Sequence, residues 1–102
     1  MGKPKGYSWE KLFVAVDSLA TGTDSLQMRL ANAFGGSLMR LTPKDFPEEL
    51  RPRFEFIERM MTTAEPQGDE GPIVATARKM SDREAVDVAK AILSLYHDIA
   101  EG

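Results

Sequence analysis

The sequence predicts an all-α fold: a compact four- or five-helix bundle with the helix at about residues 25–41 central. Three observations carry that prediction. Apolar residues recur at the helical rather than the strand period in three stretches, around Leu12, Leu30 and Ile92. Ser81-Asp82-Arg83-Glu84 is a capping box directly before the last of them. The only strand-like pair, Ile73-Val74, has no second strand to join.

Taken in order, residues 1–7 read as a flexible tail rich in Lys, Gly and Pro, and 8–102 as a single helical domain. Ser8 is placed as an N-cap for a helix over about Trp9 to Ala20. Its expected buried face is Trp9, Leu12, Phe13, Val16, Leu19 and Ala20; Val14 falls off that face. Gly22 reads as its stop. Asp24 with Gln27 three residues later predicts the cap of the second helix.

That helix shows two apolar sides. Leu26, Leu30, Ala33, Phe34, Leu38 and Leu41 form a broad face, while Met28, Ala31, Gly35 and Met39 line a narrower seam. Arg29, Asn32 and Arg40 fill the arc expected to meet water. Gly35-Gly36 is anomalous, because a glycine inside a helix costs about 0.5 to 1 kcal/mol relative to alanine. Either another helix approaches closely there, or the helix ends near Phe34 and restarts at Ser37. The phase of Leu38 and Leu41 favours one continuous helix to Leu41.

Thr42-Pro43-Lys44-Asp45 predicts a single helical turn, with Phe46 anchoring it to the core. A third helix is expected from about Pro52 to Ala64, with Leu50, Phe54, Ile57 and Met61 on one face and Phe56 and Met60 extending the apolar arc. Residues 65–72 hold two prolines, two glycines and three acids and read as a loop. Residues 73–80 suit a short helix. The fifth begins at Asp82, with Ala85, Val88, Ala89, Ile92, Leu95, Tyr96 and Ile99 in phase.

Composition excludes several chemistries. There is no cysteine among the 102 residues, so thiolate nucleophiles, disulfides and cysteine metal sites are ruled out. His97 is the only histidine, sits near the end of a helix where dipole reasons suffice, and has Ser94 rather than Glu three residues before it, so the Glu-x-x-His metal pattern is missing. Gly35-Gly36 lies in a helical pattern, not in a phosphate loop. The expectation is therefore no enzyme and no cofactor. Net charge is −3, and the one cationic cluster, Lys3, Lys5 and Lys11, lies at the N-terminus, which makes a nucleic-acid partner unfavourable. No stretch has the length of a membrane span, and a cytoplasmic location is expected.

Trp9-Glu10-Lys11-Leu12 with Ala15-Val16, Leu26-Gln27-Met28-Arg29-Leu30, Asp45-Phe46-Pro47-Glu48-Glu49-Leu50, and Ile73-Val74-Ala75-Thr76 with Met80-Ser81 together resemble a family of small bacterial all-helical proteins, a domain of unknown function. The resemblance implies a helical fold and brings no catalytic motif, cofactor or partner. The functional expectation rests on surplus apolar surface: a non-enzymatic protein-interaction module, binding an unidentified protein or a second copy of itself through Val14, Phe56, Met60, Met28 and Met39. A bundle binding a small apolar ligand among its methionines is the alternative, followed by a DNA-associated regulator.

Overall fold

A computed structural model of the chain describes residues 6–66 and 68–101. Among these described residues five α-helices follow one another: α1 (Gly6–Thr21), α2 (Leu26–Gly36), α3 (Arg51–Met61), α4 (Pro72–Lys79) and α5 (Asp82–Glu101). Three single 3₁₀ turns, Leu38–Arg40, Pro43–Asp45 and Glu48–Leu50, carry the chain from α2 to α3. Among the described residues there is no strand. The architecture is the all-α bundle that the periodicity predicts.

Helix α2 packs against α1, α4 and α5, which makes it central, while α5 reaches α1, α2 and α3 along its 20 residues. One apolar core joins all these elements, with Leu12, Leu30, Leu38, Phe54, Ile57, Met61, Val88, Ile92 and Leu95 wholly buried. Phe46 is buried against Phe54, ring centroids 4.8 Å apart, so the turn at Pro43–Asp45 is anchored as its sequence implies. At the start of that turn Thr42 and Asp45 form a capping box, the Thr42 amide donating to the Asp45 carboxylate at 2.8 Å.

Several boundaries differ from the sequence expectation. Helix α1 is already formed at Gly6, the first described residue, so Ser8 is not a cap; it lies inside the helix and is buried. The rest of the expected tail, residues 1–5, lies outside the described residues. Ser25, not Asp24, caps α2: its hydroxyl accepts from the Met28 amide at 3.2 Å. Gln27 is thereby freed from a capping box. Its side-chain amide donates to the Met80 carbonyl at 3.2 Å and the Asp82 carboxylate at 2.7 Å, pinning the α4–α5 junction to the start of α2.

The expected continuous helix to Leu41 ends at Gly36. Ser37 adopts φ −140° and ψ −60°, its hydroxyl donates to the Lys11 carbonyl of α1 at 2.6 Å, and a 3₁₀ turn follows. The break changes the phase. Leu38 and Leu41 still reach the core, but Met39 is turned outward and is 55% exposed. In contrast α5 begins as predicted, with Ser81 and Glu84 exchanging the two bonds of their capping box at 2.9 and 3.1 Å, and α4 begins at Pro72, one residue before its expected start.

Arg29 departs from its expected place in water. Its guanidinium donates to the Leu19 carbonyl at 2.7 Å and the Asp24 carbonyl at 2.9 Å, supplying a cation to the negative end of α1, which has no basic residue in its last turn. Gly22 makes room for this arm, since a Cβ there would lie 2.8 Å from Arg29 Cγ and 2.9 Å from the Ser18 carbonyl.

A candidate interaction face on α1 and α5

The surface is built on the way α1 and α5 lie together. The N-terminal half of α1 meets the C-terminal half of α5 through Trp9, Phe13 and Tyr96. At the other end, α2 bonds both Leu19 of α1 and Asp82 of α5. The two helices are therefore antiparallel neighbours.

Ser8, Leu12, Ala15 and Leu19 are the residues that α1 buries. This stripe is rotated from the expected one, and the rotation leaves Trp9, Phe13 and Ala20 exposed instead of buried. Trp9 stacks on Phe13, centroids 5.5 Å apart and planes within 15°, and Tyr96 tilts against both at 6.0 and 6.5 Å. Leu93, one turn before Tyr96, is half exposed, and Val86 lies two turns before Leu93 on the same side of α5. Half-buried Val16 and Ala89 continue the strip on each helix. The result is a two-helix apolar face with an aromatic end.

The five residues singled out by sequence are dispersed. Val14 is 45% exposed but lies on the flank of α1 away from Trp9 and Phe13, toward the 3₁₀ turn that carries exposed Met39. Phe56 and Met60, on α3, are half-buried and packed on the core, and the Arg59 guanidinium lies 5.9 Å from the Phe56 ring. Met28 is half-buried on α2. The seam it heads is partly covered, Ala31 being buried and Gly35 lying beside Ile73 of α4. Sequence reasoning missed Leu93 and Val86 and placed Trp9 and Phe13 in the core. The signal that could have found the strip is their spacing: Val86 and Leu93 stand seven residues apart, just outside the buried face of α5.

A second feature is a cleft of about 570 Å³ between the segment following α3, helix α4 and the start of α5. Met60 and Met80 form its apolar part; Glu65, Lys79 and Glu84 give it a charged rim, and it is open to solvent. Thr76 in its wall is already engaged, accepting from the Ala64 amide at 3.0 Å and donating to the Pro72 carbonyl at 2.7 Å. Glu84 is held below the usual carboxylate range, first by the bond from the Ser81 amide and then by the Ser81 hydroxyl. Glu58 on α3 is pushed up by partial burial and by the nearby Glu55.

Among the described residues no group of three or more His, Asp or Glu is placed to hold a metal ion, and no helix is long and apolar enough to cross a membrane. No protein-family model, curated protein or solved structure matches the chain.

Proposed function

We propose that this chain is a non-enzymatic helical protein-interaction module and that the α1/α5 face is its contact surface. The observation that carries the reading is the pair of exposed rings Trp9 and Phe13, packed on half-buried Tyr96 and continued by exposed Leu93 and Val86. Aromatic side chains supply large contact area at little rotamer cost and are enriched among the residues that dominate binding energies. We infer a bacterial source, which the sequence resemblance supports.

The test is site-directed photo-cross-linking in cells. A photoreactive phenylalanine analogue at position 13 should give a discrete cross-linked product, while the same group at Glu49, exposed on the 3₁₀ turn before α3, should give none. A chain that cross-links to nothing through position 13 would sink the reading.

A further inference from the structure

The identity of the partner follows from how charge is arranged beside that face. Resting on the interaction-module reading, we propose that the occupant of the α1/α5 face is a second copy of this chain, with α1 of each copy laid on α5 of the other.

Two identical two-helix layers can close face to face in two ways. A two-fold axis running across the helices places α1 on the partner's α1 and α5 on the partner's α5. An axis running along the helices places α1 on the partner's α5. The apolar strip suits both, and the charges beside it choose. Outside Phe13, the edge of α1 carries Glu10 and Asp17, seven residues apart. Outside Leu93, the edge of α5 carries Lys90 and His97, also seven apart. Asp87 and Ser94 lie further round α5. With the axis across the helices, the acidic edge of α1 meets its own copy. With the axis along them, each acidic edge meets the edge that carries Lys90.

The register agrees as well. Tyr96 stands level with the Trp9–Phe13 pair across the antiparallel helices. Moving two turns up α1 therefore corresponds to moving two turns down α5, so Glu10 is level with His97 and Asp17 with Lys90. An axis along the helices preserves these levels. It sets Glu10 opposite the partner's His97 and Asp17 opposite the partner's Lys90, twice each in the dimer. Within the chain these four side chains make no ion pair among the described residues, so none must be broken to form the contacts.

The test uses the full chain in sedimentation velocity and native mass spectrometry, from micromolar to submillimolar concentration. The wild type is expected to dimerise. Asp17→Lys and Lys90→Asp each place two like-charge contacts in the dimer, and each should weaken it by about tenfold or more. Mixed together, the two variants should form a heterodimer of wild-type affinity, because both contacts then join Lys to Asp. That recovery requires the contact to lie between chains. Both positions are exposed, and unchanged circular dichroism and melting will show that the variants fold. A strictly monomeric wild type overturns the dimer, and a cross-linked product from position 13 at a mass other than twice that of the chain would then leave the interaction reading standing with a different partner. A wild-type dimer indifferent to both substitutions, or two variants that fail to recover on mixing, overturns this arrangement.

Discussion

At Gly35 the sequence allows a close approach by another helix, and the space around its Cα decides whether that contact needs glycine. An added Cβ would lie 3.9 Å from Ile73 Cδ1, ordinary van der Waals contact. Gly35→Ala should therefore stabilise the chain by about 0.5 to 1 kcal/mol, by limiting the unfolded backbone, and raise the melting temperature. Gly22→Ala should do the opposite. Its Cβ would press on a backbone carbonyl as well as on the Arg29 arm, so a lower melting temperature is expected, and an unchanged one would show that Arg29 does not need that path. The role of Arg29 itself was not legible from sequence. Its acceptors are the carbonyls of Leu19 and Asp24, and backbone acceptors from another element leave no pattern in residue identities.

Whole elements were legible where their signals are local. The capping box of α5 lies within four residues, and so its start was fixed by Ser81 and Glu84 before any tertiary contact. Ser81→Ala should cost about 1 kcal/mol in denaturant melts. Glu84 adds a pH dependence whose sign follows from its depressed pKa. Its stabilisation is fully present above the ordinary carboxylate value of 4.5 and is lost as pH falls through the lower folded value. The melting-temperature gap between wild type and Glu84→Gln should thus be constant near neutrality and narrow on acidification below pH 4.5; a gap that widens would contradict the cap. The end of α2 was hidden for the opposite reason. What turns the chain at Ser37 is its hydroxyl bond to the Lys11 carbonyl, 26 residues away, which the local phase of Leu38 and Leu41 does not reveal.

For the molecule as a whole, the bundle and its central helix were readable from periodicity, but the orientation of α1 about its own axis was not. Counting Trp9 and Phe13 as core turned the expected stripe by about 80° from the one that Ser8, Leu12, Ala15 and Leu19 form, because large aromatics weigh heavily in a pattern whichever side they occupy. That rotation separates a bundle with nothing to offer from one with an aromatic face, so it should be tested directly on neighbouring residues. Leu12 is 0% exposed and Phe13 is 47% exposed. Leu12→Ala should cost about 2 to 5 kcal/mol, the transfer loss plus the cavity left among the packed helices. Phe13→Ser should cost about 0.5 to 1.5 kcal/mol, the ring contacts with Trp9 and Tyr96 and little else. Trp9 is the single tryptophan, so its emission reports on the face without labelling. At dilution it should resemble that of a partly hydrated indole, and it should shift to shorter wavelength as the face is covered at higher concentration. Equal losses at Leu12 and Phe13, measured at a concentration where the chain is monomeric, would mean that α1 is turned the other way and that the face on α1 and α5 does not exist.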